Sequence, residues 1–204
     1  MKAFASTIAL CLAVVTAGAA QDRWKQAVAP LAASECIHLS FISTLESNVF
    51  GTVDTTLGSA YLGTHGCFYL QLGPDEVWSD GERRYTYSPE NSQLIIEQVD
   101  TADYVARGVS LLRCLDSLYR ISRTSDANLF RLDWRSGQRG EYPDSLWVRV
   151  SSTAPSIRHL EYFDDNGDRN GLDVRTLTPE DSCATSRFVP NLPDSVERVR
   201  LPQR

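Results

Sequence analysis

GSAYLGTHGCFYLQLGPDEVWSDGERRYTYSPENSQLIIEQ, residues 58–98, alternates short apolar runs with turn residues and decides the fold class. Five strands are predicted here: Gly58–Leu62, Cys67–Leu72, Val77–Ser79, Arg84–Tyr87 and Leu94–Gln98. Aromatic and β-branched residues recur in them at period 2, which sends alternate side chains to opposite faces of a sheet. Gly63-Thr64-His65-Gly66, Gly73-Pro74-Asp75, Asp80-Gly81 and Pro89-Glu90-Asn91 separate the runs. Such residues supply the positive or fixed φ angles that hairpin turns require.

The same alternation continues on both sides. Upstream, Ile37, Leu39 and Phe41 interleave with His38 and Ser40 as one more strand. Before it, Trp24, Ala27, Val28 and Leu31 fall at helical spacing, so an amphipathic helix is expected over Asp22–Ala33, with Pro30 bending or shortening it. Downstream, Leu111, Leu112, Leu115 and Leu118 share a face of a second helix within Ala102–Leu118. Strands resume around Phe130–Trp134, Leu146–Val150, Leu160–Tyr162 and Leu172–Val174, with Arg187–Val189 and Val196–Leu201 near the end. The pattern is a mostly β single domain with many short strands and two short helices. A half-polar antiparallel sheet has one apolar face to keep from water. Two helices are few for that task. Either the sheet closes on itself, or part of its inner face stays open to an apolar ligand; periodicity does not choose.

Composition sets outer bounds. The 204 residues are 42% hydrophobic and 23% charged, which excludes disorder and coiled coil. The formal charge of −6 argues against nucleic-acid binding and against a polybasic grip on membranes. Residues 1–20 carry Lys2, an apolar stretch Ile8–Val15 and the small exit Ala17-Gly18-Ala19-Ala20, the pattern of a secretory signal. Residues 21–204 are then one exported domain. Cys11 lies too early, inside the apolar stretch and after Leu10, for a lipid anchor. Cys36, Cys67, Cys114 and Cys183 remain, and in an oxidising compartment they permit two disulfides in three pairings.

No catalytic constellation emerges. The chain lacks a Gly-x-Ser-x-Gly elbow, phosphate-cradling glycine loops and His-Glu-x-x-His. Scattered cysteines and His38, His65 and His159 do not make a metal site, and no cofactor is expected. Asp164, Asn166, Asp168 and Asn170 mimic a calcium loop, but Arg169 stands where such a loop needs glycine and Arg175 where it needs a bidentate glutamate. A polar hairpin turn is the better reading. The strand aromatics Phe41, Tyr61, Phe68, Trp78, Tyr85, Tyr87 and Trp134 are, taken singly, ordinary core; as a set they are the best candidates for an apolar cavity.

Several segments together resemble LolA, the periplasmic outer-membrane lipoprotein carrier family. They are Ile37-His38-Leu39-Ser40-Phe41, then Gly58…Phe68…Pro74-Asp75-Glu76…Ser79-Asp80-Gly81, then Tyr87-Ser88-Pro89 and Gln93. Asp164–Gly171, Phe188-Val189-Pro190 and Val196–Leu201 resemble the family's late hairpin and closing segment. Order and spacing, over nearly the whole exported chain, carry the likeness. The resemblance implies an incompletely closed β-barrel with a helical lid over its concave side, no catalytic residue and no cofactor. It implies a monomeric periplasmic chaperone that takes acylated lipoproteins from an inner-membrane release transporter to an outer-membrane acceptor. Cargo contacts are then expected from Leu39, Phe41, Tyr61, Phe68, Leu70, Trp78, Tyr85, Tyr87, Phe130, Leu132 and Trp134, and lid contacts from Leu111, Leu112 and Leu115. The family often carries a latch arginine after the second strand. Gly63-Thr64-His65-Gly66 stands there instead, so no latch residue is assigned, and Cys114, on the lid, is expected to stay free or to pair away from the moving seam. Two other readings are a lipid- or lipoprotein-sensing module on the same fold, and a secreted hydrolase with an unusual site.

Overall fold

The computed structural model describes residues 22–99, 104–135, 137 and 142–202; the expected leader lies outside them. Helix α1 covers residues 22–33 and continues past Pro30, whose carbonyl accepts the Ser34 N–H at 3.1 Å. Six strands follow: β1 (Cys36–Glu46), β2 (Val53–Leu62), β3 (Cys67–Leu72), β4 (Asp75–Asp80), β5 (Arg83–Ser88) and β6 (Gln93–Gln98). Helix α2 (Tyr104–Leu118) runs directly into β7 (Tyr119–Arg123). Then come β8 (Leu129–Trp134), β9 (Ser145–Val150), β10 (Ile157–Phe163) and β11 (Arg169–Glu180), a short 3-10 turn at Thr185–Phe188, and β12 (Glu197–Arg200).

All twelve strands join one sheet in the order β12-β6-β5-β4-β3-β2-β1-β11-β10-β9-β8-β7. Every pairing is antiparallel except β12 with β6. The end strands β12 and β7 do not pair, so the sheet is an incompletely closed one with helices on one face. Two expectations are corrected. Arg187–Val189 is not a strand, because the chain tightens into the 3-10 turn over Arg187 and Phe188. β7 has no counterpart among the expected strands, since no turn residue separates it from α2.

The core lies between the sheet and the two helices. Trp24, Ala27, Val28 and Leu31 of α1 and Leu111, Leu112 and Leu115 of α2 pack on Ile37, Leu39, Phe41, Ala60, Leu62, Phe68, Phe130, Leu132, Leu146, Val148, Leu160 and Val174. Trp24 also donates Nε1–H to the Asp116 carboxylate at 2.6 Å, tying α1 to α2. Gly58 is required in this core. A Cβ there would meet Phe41 Cζ at 2.4 Å, so the missing side chain is the space in which the Phe41 ring lies. Gly58→Ala is expected to cost about 1–3 kcal/mol through displacement of that ring, read as a lowered urea midpoint; an unchanged midpoint would contradict the packing account.

The first strand is fastened to the tail. A Cys36–Cys183 disulfide joins the start of β1 to the segment after β11, across 147 residues of sequence, leaving Cys67 and Cys114 as free thiols. Of the three pairings open to the sequence, the fold makes one bridge and, among the described residues, no second. From Cys183 the chain crosses the sheet face opposite the helices and ends as β12 beside β6.

Candidate functional site

Cross-strand register determines which residues share the helix face. One row across the sheet is Ile37, Leu62, Phe68 and Ser79. The next is Leu177, Leu39, Ala60, Leu70, Val77, Thr86 and Ile95. A third is Val174, Phe41, Gly58 and Leu72. On the other half, Leu172, Leu160, Val148 and Phe130 form a row, and Leu146, Leu132 and Ile121 form another.

Burial falls steeply along this face. Leu132, Leu146 and Val148 are 0% exposed beneath the helices, whereas Leu72 is 39% exposed. Over β7–β1 the space is filled by the chain's own side chains, with Trp24 and Phe130 rings 5.2 Å apart and Trp134 packed edge-on to Tyr119. Over β3–β6, Leu70, Val77, Thr86 and Ile95 are only half-buried. The apolar face thus runs from a sealed half into an incompletely covered half. An apolar ligand could lie on the second half, and it could enter the first only by displacing the helices.

The most branched polar contact of the helices comes from α2. Arg113 donates Nη1–H to the carbonyls of Leu31 (3.2 Å) and Ser34 (2.6 Å), and Nη2–H to those of Glu35 (3.2 Å) and Leu62 (2.7 Å). One guanidinium therefore ties α2 to the end of α1, to the link into β1 and to the end of β2. Burial pushes the Arg113 pKa down, but the fork still carries donors enough for four carbonyls. Among the described residues its Nε has no partner, so the network is not fully satisfied. Sequence alone assigns no latch residue; in the structure Arg113 stands on α2, and one of its acceptors, Leu62, ends β2 beside Gly63. No motif marks Arg113, since its acceptors lie 51 to 82 residues away.

The expected cargo residues divide between two faces. Leu39, Phe41, Phe68, Leu70, Phe130, Leu132 and Trp134 lie on the helix face, with Leu111, Leu112 and Leu115 above them. Tyr61, Trp78, Tyr85 and Tyr87 point to the opposite face. Tyr61 is sandwiched there between His38, stacked at 4.3 Å, and the Arg187 guanidinium at 4.2 Å. Trp78, Tyr85, Leu94 and Val196 form a separate buried cluster with Tyr69, Tyr87, Ile96 and Leu192 against them. These aromatics cement the returning tail to the sheet.

Their polar ends are satisfied locally. Tyr69 donates to Glu76 at 2.8 Å, and burial together with that bond pushes its pKa up to about 12. Tyr85 donates to Asp80, which also accepts the Glu82 and Arg83 amides. Burial works to raise the Asp80 pKa, but those bonds outweigh it and hold the carboxyl below its usual range. The Asp164 carboxylate is likewise occupied, accepting the Asn166 and Asp168 amides within the β10–β11 turn.

No protein-family model and no curated protein sequence matches the chain. Solved structures do. An uncharacterized conserved protein from Thermus thermophilus is similar at TM-score 0.52 and 12% identity, over 91% of this chain and 99% of that one. A LolA-superfamily protein from Nitrosomonas europaea aligns at TM-score 0.47 and 10% identity, over 84% and 97%. A DUF1329-family protein from Desulfovibrio piger aligns at TM-score 0.44 and 11% identity, over 83% and 96%. The chain shares the Thermus protein's fold along nearly its whole length, and its own open twelve-stranded sheet with helices on one face agrees with the incompletely closed, helix-covered sheet expected above.

Proposed function

We propose that this protein is a periplasmic carrier that shelters the acyl chains of lipoproteins on the helix face of its sheet during transit from the inner to the outer membrane. One observation carries the reading: an apolar face that is half sealed under two helices and half uncovered, with a single arginine clamping the helix at the boundary. Leu70, Val77 and Ile95 would receive a chain first. Leu39, Phe41, Phe68, Phe130, Leu132 and Trp134 would become available as Leu111, Leu112 and Leu115 lift. Sheltering is worth having, since each exposed methylene costs about 0.8 kcal/mol. A surface without strong polar anchors can also release what it binds, which a carrier needs and a storage site does not. The Cys36–Cys183 bridge supports an oxidising compartment. The face offers a nonreacting surface, so the activity is binding and hand-over, with a release transporter and an acceptor as the partners at either end.

The experiment uses positions that are already half-buried, so the fold survives. Leu70→Asp with Val77→Asp is expected to weaken binding of a fluorescent C16 acyl probe by about tenfold or more, because a carboxylate there must be desolvated by the chain. Its thermal midpoint should fall, since the two carboxylates stand opposite each other beside the core, but unfolding should stay cooperative, and probe binding is compared at a temperature where both proteins are folded. The same variant should fail to draw lipoprotein from inner-membrane vesicles. Undiminished probe binding by this variant would reject the site, and probe binding without lipoprotein uptake by the wild type would reject the carrier role.

A further inference from the structure

The β1–β2 hairpin reaches beyond its neighbour. β3 pairs with β2 only over Gly58–Leu62, while β2 pairs with β1 from Val53 onward. Residues Val53–Leu57 are therefore bonded to Glu46–Ile42 on one side and, among the described residues, to no strand on the other. The Leu57 carbonyl accepts the Gly73 N–H at 2.9 Å, so the free edge is Val53–Thr56, about 13 Å at 3.3 Å per residue. It does not dangle. On its far side β1 is paired with Arg169–Asp173 of β11, and β11 with β10.

The tip is also held. Ser47 N–H donates to the Thr52 carbonyl and Gly51 N–H to the Ser47 carbonyl, both at 2.9 Å. Asn48 N–H donates to the Asp168 carboxylate of the adjacent turn at 2.8 Å. On this fixed frame Phe50 is 81% exposed, Val49 72%, Leu57 71% and Val53 60%. Val53 and Leu57 share one face of β2, two positions either side of Thr55. Edge strands are ordinarily protected by lysine, proline or a bulge. Residues 47–57, SNVFGTVDTTL, contain no lysine, arginine or proline. They read instead as a β-prone apolar segment presented for pairing.

The charge around the edge has one sign. Residues 46–57 and 161–171, the arm and the neighbouring hairpin, carry Glu46, Asp54, Glu161, Asp164, Asp165 and Asp168 against Arg169 alone. Arg169 is taken up by Glu161 at 2.7 Å and Glu46 at 3.3 Å.

We propose that the β1–β2 arm docks a partner protein through an extended segment that alternates apolar residues with lysine or arginine and adds a strand beside Val53–Thr56. Backbone pairing would supply affinity, and Phe50, Val53 and Leu57 the apolar contacts. The surrounding acids would select a basic partner and speed its approach. A second copy of this chain would set acid against acid at this edge, and an anionic bilayer would meet the same repulsion. The proposal stands apart from what the helix face carries.

The test mixes the full exported chain with a seven-residue peptide alternating valine and lysine, and separately with its valine–glutamate counterpart. The lysine peptide is expected to slow amide exchange over Val53–Thr56 and to bind about tenfold or more tighter than the glutamate one. Its affinity should fall as salt rises from about 0.05 M to about 0.5 M. Phe50→Ser with Asp54→Asn should weaken it by about tenfold without altering thermal unfolding, since these positions are exposed. Any of three results overturns the proposal: equal binding of the two peptides, no protection over Val53–Thr56, or persistence of binding in the double variant. Binding of the free protein to phosphatidylglycerol vesicles through Phe50, or a dimer that Phe50→Ser dissolves, would overturn it in favour of a membrane or a second copy.

Discussion

An Arg113→Ala variant is expected to lose about 2–4 kcal/mol of stability and to bind a fluorescent acyl probe more readily than the wild type. The two changes have one cause. The wild-type guanidinium donates to four carbonyls on three segments, and its removal unties α2 from the end of β2 and from the end of α1 at once. Leu111, Leu112 and Leu115, each no more than 6% exposed, are then held by packing and by the bonds of Trp24 and Arg135 to Asp116 at the end of the helix. Packing on a sheet is non-directional, so the helix can slide and expose the apolar face beneath. The backbone of Leu62 ends its strand pairing there, and its carbonyl would turn to water. Arg113→Lys should recover only part of the loss, because an ammonium lacks the planar fork that reaches carbonyls on two sides. Thermal unfolding and probe titration on the same three proteins decide the matter. Lower stability without greater probe binding would mean that Arg113 is a structural tie and not a latch.

That residue also marks the limit of what the sequence discloses. Strands β3 to β6 are legible because their signals are local: alternation within six residues and a turn at each end. The Leu111, Leu112 and Leu115 stripe discloses α2 for the same reason. β2 starts five residues earlier than its apolar pattern suggests, because Asp54 and Thr56 make one face of Val53–Leu57 polar while Val53 and Leu57 on the other stay exposed and join no core. β7 follows α2 without punctuation.

The face of each aromatic is less accessible. Val77 and Trp78 are neighbours in β4, and alternation requires only that they point oppositely. Size favours the tryptophan as the core member, yet Val77 meets the helices and Trp78 the tail. The decision is made by Val196 and Leu192, more than a hundred residues downstream, which bring their own cover to the outer face. Tyr61, Tyr85 and Tyr87 follow Trp78 by register. Such long-range choices leave no local trace.

Removing the disulfide should have the larger effect on stability. Cys36→Ser with Cys183→Ser opens a loop of 147 residues, and chain-entropy arguments give about 5 kcal/mol for closing one of that length. Measured losses for native bridges run at about 2–5 kcal/mol, so a clear fall in the urea midpoint is expected. The damage should be uneven. The bridge fixes the start of the tail, whose later part covers Trp78 and Tyr85 and supplies β12. Those groups should exchange and quench before the core under α1 and α2 does, because the tail loses its near anchor while the helix face keeps all of its contacts. Tryptophan quenching and amide exchange separate the two regions. In the wild type, alkylation of unfolded, unreduced, leaderless protein should label Cys67 and Cys114 and no other cysteine. Labelling of Cys36 or Cys183 there would contradict the bridge. A midpoint unchanged in the double variant would mean instead that β12–β6 pairing, the Arg187–Tyr61 contact and the aromatic cluster hold the tail without it.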